Sequence, residues 1–188
     1  MTDRERLPEG GHTVSETEVA SDVEAADPQL AEIFDASHVV AEIGAAGRDG
    51  VIGKLVKAVE GQGLLTDAKW LETALKERER MVPTAMPNGV AFMHARHRAA
   101  DKFPRQFLFL ARSAKGVAFG SPDEKPTHLF FLLALRKDMA HLRWLARLSW
   151  ICRNRATVSS LLKAKTADDI ARILRIAVEE LPGNLKQK

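Results

Sequence analysis

The chain has 188 residues, 45% hydrophobic and 28% charged, with twelve glycines and eight prolines, a globular composition with length for one sizeable core rather than two full domains. Its longest nearly unbroken apolar stretches, residues 107–111 and 129–135, fall far short of the roughly 20 residues a membrane helix requires. A start of Met-Thr-Asp-Arg-Glu-Arg that leads into acidic sequence argues against a signal peptide, and a single cysteine, Cys152, excludes an internal disulfide or a multi-cysteine metal site. A reducing cytoplasm is the expected compartment.

The net charge of +3 conceals a division. Residues 1–35 hold ten acidic against two basic side chains, a balance of −8, whereas the remainder holds 26 basic and 15 acidic, a balance of +11. A basic surplus suits nucleic acid, phosphate groups or an acidic protein partner without choosing among them, and solvated charge is also an ordinary domain surface. Residues 1–28 are rich in Glu, Asp, Thr, Ser and Gly and carry Pro8 and Pro28 but no aromatic residue. They bury too little to offset their ordering entropy, so a flexible acidic arm is expected ahead of one domain over 29–188.

Within that domain, residues 37–43 read as a short strand or irregular entry segment. Val51, Ile52, Leu55, Val56 and Val59 recur at helical spacing until Gly61 and Gly63, which predicts an amphipathic helix of about three turns. Asp67 is the expected N-cap of a second helix with Trp70, Leu71, Ala74 and Leu75 on its apolar stripe, ending near residues 78–80 ahead of Pro83. The period then changes. Residues 89–94, 106–111 and 128–135 are short apolar runs bounded by Gly, Pro and charge, as buried strands are. Helical spacing returns through Leu142, Leu145, Leu148 and Ile151, a short helical turn follows near 158–162, and Thr166-Ala-Asp-Asp caps a last helix through Ile170, Ile173, Leu174 and Ala177. Helices before and after a strand cluster imply an α/β chain: a single three-layer domain, its mixed β-sheet flanked by helices on both faces.

No Gly-x-Ser-x-Gly elbow and no phosphate-binding Gly-x-x-x-x-Gly-Lys-Ser/Thr loop is present, which sets aside those hydrolase and nucleotidase readings. His94 and His97, three apart without a convincing third ligand, do not make a zinc site, and no metal or organic cofactor is expected. Trp144 and Trp150 with Arg143, Arg147, Arg153 and Arg155 suggest a nucleic-acid face at first sight. Six apart on one helix, however, the tryptophans do not share a face, so core or partner packing is the better reading and no nucleic acid is expected. The run that stands out is Asn88-Gly-Val-Ala-Phe-Met-His94, a strand that ends in an imidazole. A lone histidine there is ordinarily a half-buried hydrogen-bonding residue. Its neighbours change the reading.

Arg78-Glu79 lies sixteen residues before His94, with Thr84 and Asn88-Gly89-Val90-Ala91 between; Phe119-Gly-Ser-Pro-Asp123-Glu-Lys-Pro126 and His141-Leu-Arg-Trp-Leu145 follow. In that order over some sixty residues, the set resembles the enzyme IIA domains of the fructose/mannitol type, including the nitrogen-regulatory branch, of the bacterial phosphoenolpyruvate-dependent phosphotransferase system. The likeness covers about residues 36–180. It implies a mannitol-type IIA fold and a cytoplasmic phosphotransferase component in which His94 accepts a phosphoryl group from phospho-HPr and passes it to a IIB partner or uses it as a regulatory signal. It further implies that Arg78 and His141 assist the transfer and that Arg78, His141 and Thr84 contact the phosphate, with no direct membrane insertion. Met93 replaces the family's usual proline, and Met86-Pro87 its usual Ile-Gly. Those departures leave a second reading in view, a phosphorylation-impaired regulatory binding protein on the same fold.

Overall fold

In the computed structural model, which describes residues 34–96 and 100–186, the three apolar runs pair with one another and with two short strands. The strands are β1 (Val39–Val40), β2 (Ala85–Met86), β3 (Val90–Met93), β4 (Phe107–Val117) and β5 (Thr127–Ala134). They stand in the order β1-β4-β5-β3-β2, parallel at β1/β4 and β3/β5 and antiparallel at β4/β5 and β2/β3. The sheet is therefore mixed. The helices are α1 (Gly47–Gly61), α2 (Ala68–Met81), α3 (Asp138–Arg153), α4 (Arg155–Lys163), α5 (Ala167–Glu179) and the single turn α6 (Gly183–Lys186). The acidic arm expected over residues 1–28, and His97, lie outside the described residues.

Period-two geometry divides the core into two layers. Val90 and Phe92, Leu108 and Leu110, and Leu129, Phe131 and Leu133 project from one face into a core with Trp144, Leu148 and Ile151 of α3 and with Leu161, Ile170 and Leu174 of α4 and α5. Ala91 and Met93, Phe107 and Phe109, and Phe130 and Leu132 project from the other face onto Val51, Ile52, Leu55, Val56 and Val59 of α1 and onto Leu71 and Leu75 of α2. Both faces of the sheet are covered, which is why the central strands read as unbroken apolar runs.

The helix signals are realised at their caps. Asp67 accepts from the Trp70 amide at 2.9 Å, and the Thr166 hydroxyl accepts from the Asp169 amide at 3.1 Å, each satisfying a donor the first helical turn leaves open. Three details differ from expectation. The turn placed near 158–162 is the nine-residue helix α4, begun by Asn154, whose side chain accepts from the Ala156 and Thr157 amides. The strand over 106–111 continues to Val117, because Val117 pairs with Thr127 beyond an irregularity in register. The third is β2: it has no apolar run of its own and exists because Ala85 and Met86 lie opposite Ala91 and Val90.

Candidate functional site

His94 continues the even positions of β3, after Val90 and Phe92, and so faces the layer that holds α3. His141 lies in the first turns of α3. Their ring centroids are 4.8 Å apart with the planes at 66°. The register has a second anchor at the opposite end, where Asn88 Nδ2 donates to the Cys152 carbonyl at 3.0 Å. Six strand residues span about 20 Å, and the eleven helical residues from 141 to 152 span about 16 Å. The helix thus runs antiparallel to β3, tied at its C-terminal end and bringing His141 to His94 at its N-terminal end.

The His94 ring is oriented by its own strand, since Nδ1 stands 2.9 Å from the Phe92 carbonyl oxygen. A carbonyl only accepts, so Nδ1 carries a proton and, in the neutral imidazole, the lone pair is left on Nε2. A narrow, mainly apolar crevice lined by Leu71, Ala95, Phe103, Leu133, Ala134 and Leu135 adjoins both imidazoles. A wider groove of about 330 Å³ runs along α2 past Asp67, Trp70 and Glu77 and does not include them. Met139 and Leu142, on either side of His141 in sequence, are 65% and 58% exposed, and Met81, Val82 and Met86 are also exposed.

Arg78 and Thr84 sit in the last turn of α2 and in the loop that follows. Arg78 Nη1 donates to the Val82 carbonyl, and the buried Thr84 hydroxyl donates to Glu79. The structure brings His94 and His141 together; the hydrogen bonds of Arg78 and Thr84 run to Val82 and Glu79 rather than to either ring. Met93, at the usual proline position, is wholly buried among the α1 and α2 side chains. Met86-Pro87-Asn88-Gly89 forms a tight turn in which the Gly89 amide donates to the Met86 carbonyl at 3.2 Å. Pro87 takes the second position, which its ring angle favours, and Gly89 carries the positive φ of 77°. Ser121 Oγ contacts the Met86 carbonyl at 3.1 Å and Asp123 Oδ1 at 2.6 Å, so the 119–123 segment braces the same turn.

Glu79 received no individual role from the sequence, although it is wholly buried. Its signal was positional: it follows Leu71 and Leu75 at four-residue spacing and puts a carboxylate where the apolar stripe of α2 calls for another hydrocarbon. Burial pushes its pKa up, against the opposing effects of the Thr84 hydrogen bonds and of Arg78 and Arg48. Trp144 and Arg147 of α3 are packed into the core. Trp144 is fully buried, edge-on to Phe34 at 6.0 Å, with the Arg147 guanidinium 4.8 Å from its ring centre. Among the described residues no group of three or more His, Cys, Asp or Glu is placed to hold a metal ion, and no helix is long and apolar enough to cross a membrane.

Residues 32–176 match the family described as phosphoenolpyruvate-dependent sugar phosphotransferase system, EIIA 2. The fructose-specific EIIABC component of Bacillus subtilis (strain 168) is 28% identical over 148 residues, which are 78% of this chain and 23% of that protein, so the chain spans about a quarter of that relative's length. The mannitol-specific phosphotransferase enzyme IIA component of Staphylococcus aureus (strain MRSA252) is 26% identical over 79% of this chain and 99% of its own. Among solved structures, the nitrogen regulatory protein IIA-Ntr of Neisseria meningitidis aligns with a TM-score of 0.65 at 24% identity, over 77% of this chain and 98% of that one. The complex of mannitol enzyme IIA with phosphorylated enzyme IIB from Escherichia coli aligns with a TM-score of 0.65 at 18% identity, over 74% of this chain and 95% of the other. These structural likenesses establish the mannitol-type IIA fold.

Proposed function

Because this chain belongs to the EIIA type 2 family of the phosphoenolpyruvate-dependent sugar phosphotransferase system, we propose that it is a phosphoryl carrier whose acceptor atom is Nε2 of His94. The observation that carries the reading is the Nδ1 contact with the Phe92 carbonyl at 2.9 Å, which leaves Nε2 with the lone pair that in-line attack requires. The donor is a phosphohistidine of an HPr-like protein. As the Nε2–P bond forms, the donor's P–N bond breaks and its electron pair returns to the donor nitrogen. No proton has to leave His94. Its ring then carries hydrogen on Nδ1 and phosphorus on Nε2 and gains positive character, which strengthens the bond to Phe92 by charge assistance.

Phosphoryl transfer needs alignment and stabilisation of the equatorial oxygens more than covalent help. His141, whose ring centre is 4.8 Å from that of His94, is placed for that task at the positive end of the α3 dipole. Arg78 is assigned the neutralising role by turning its guanidinium from Val82 toward the oxygens. Thr84 contributes through the loop it anchors, its hydroxyl being engaged by Glu79. The exposed Met139 and Leu142 beside His141 supply apolar contact for a donor, and then for a IIB domain or a regulated target that receives the group or senses it.

The test is incubation of the full chain with phosphoenolpyruvate, enzyme I and HPr, read by intact mass. One acid-labile phosphoryl group that is lost in His94→Ala supports the reading. No gain, while a control IIA domain is charged in the same mixture, overturns it in favour of a regulatory binding protein on this fold.

A further inference from the structure

Three residues are linked in series behind the histidine. Glu79 Oε2 accepts from the Thr84 amide at 2.8 Å, and its Oε1 accepts from the Thr84 hydroxyl. The Thr84 carbonyl accepts from the Phe92 amide at 3.3 Å, and the Phe92 carbonyl accepts from His94 Nδ1 at 2.9 Å. One carboxylate thus clamps both donors of one loop residue. That residue holds the strand position whose carbonyl orients the imidazole.

We propose that Glu79 is a positioning residue for His94, setting its Nδ1–H tautomer through Thr84 and Phe92; this rests on His94 being the phosphoryl acceptor only for its functional consequence. Glu79 occupies an adverse place. It stands in the last turn of α2, where the helix dipole opposes an anion, and it is fully buried, where a carboxylate loses its water. A leucine would extend the stripe of Leu71 and Leu75 without either penalty. What the carboxylate supplies, and a hydrocarbon cannot, is a pair of acceptors for the Thr84 amide and hydroxyl, in a residue that is itself buried. Apart from the Arg78 contact with the Val82 carbonyl, the loop leads only into β2, two residues at the sheet edge. Arg48 Nη1 reaches the Glu79 carbonyl at 3.2 Å and steadies the end of the helix, not the loop. Without the clamp, the Thr84 donors are orphaned, Phe92 loses its partner across the edge, and the His94 ring is released to take the Nε2–H form, whose Nε2 has no lone pair to attack phosphorus.

The test is the imidazole nitrogen spectrum of the full chain labelled with ¹⁵N-histidine and read without any phosphoryl donor, with His94 assigned by the spectrum of His94→Ala. The wild type is expected to show the Nδ1–H tautomer alone. Glu79→Gln, which keeps one acceptor for the Thr84 amide and forces the Thr84 hydroxyl to turn and accept where it had donated, is expected to give a mixture, as is Thr84→Val; Thr84→Ser, which keeps both donors, is expected to retain the single form. Where phosphoryl acceptance is measurable, its first-order rate should fall about ten- to hundredfold in Glu79→Gln, the usual range for losing an outer orienting bond, with the donor concentration for half-maximal rate unchanged. An unaltered tautomer in a folded Glu79→Gln overturns the proposal. So does an unaltered tautomer in Thr84→Val, which keeps it testable if the Glu79 variant does not fold. The tautomer readout uses no donor, so it stands or falls separately from phosphoryl acceptance.

Discussion

Replacing His141 by alanine removes an imidazole whose ring centre stands 4.8 Å from that of His94 and leaves the acceptor nitrogen untouched. If His141 donates to a phosphoryl oxygen as charge develops, the variant loses one preorganised donor in a partly dry site. Loss of such a donor costs about a hundred- to a thousandfold in rate, or about 2.7–4 kcal/mol of transition-state stabilisation. The effect on folding should be much smaller. His141 is 9% exposed on a helix, alanine is the best helix former, and a loss of about 1–2 kcal/mol is a minority of ordinary domain stability. Single-turnover transfer from a phosphorylated donor, quenched and read by intact mass, measures the first quantity; urea unfolding measures the second. His141→Gln, which keeps an N–H donor, should recover most of the rate. An unchanged rate in folded His141→Ala refutes the assignment, and a stability loss matching the rate loss makes His141 a packing residue.

Leu148→Ala should cost about 3–5 kcal/mol, because Leu148 is fully buried between α3 and the sheet; a lower urea midpoint at unchanged slope is the expected form, and a loss under about 1 kcal/mol would mean that face is not packed as described. Thr166→Ala should cost about 1 kcal/mol through loss of the α5 cap, read in the same titration. The Asp67 carboxyl is held below its ordinary 3.8 by the Trp70 amide and then by Lys102. Its charge therefore stabilises the fold at pH above that value, and the stability is lost as pH falls through the lowered folded-state pKa. The advantage of wild type over Asp67→Asn should close on acidification, and a gap that persists in acid would discount the charge. Burial pushes the Cys152 thiol up to about 12, so thiol reagents should leave the native protein unmodified at mildly alkaline pH and react once it is unfolded; rapid native labelling would place Cys152 outside the core.

The helices were legible because their signals are local. Val51, Ile52, Leu55, Val56 and Val59, picked out by spacing, are the buried face of α1, and Asp67 and Thr166 cap the helices they precede. Capping and amphipathic spacing act within one or two turns, so one stretch of chain contains the whole interaction. The ordered motif from Arg78 to Leu145 likewise identified the family. The faces of the sheet were not legible, because apolar residues on both sides erase the alternation that would tell Phe92 from Met93. The strand order joins segments far apart in the chain, and β2 is defined only by its partner.

By itself the sequence determined the apolar registers of α1, α2, α3 and α5, the caps of α2 and α5, the strand-forming runs and the histidine chemistry on offer. Tertiary structure alone decided that the even positions of β3 face α3, that Asn88 and Cys152 set the helix alongside the strand, and that Glu79 reaches His94 through Thr84 and Phe92. Those relations depend on which face is covered and on backbone groups that every residue shares, and a side-chain sequence does not say which carbonyl an imidazole will meet.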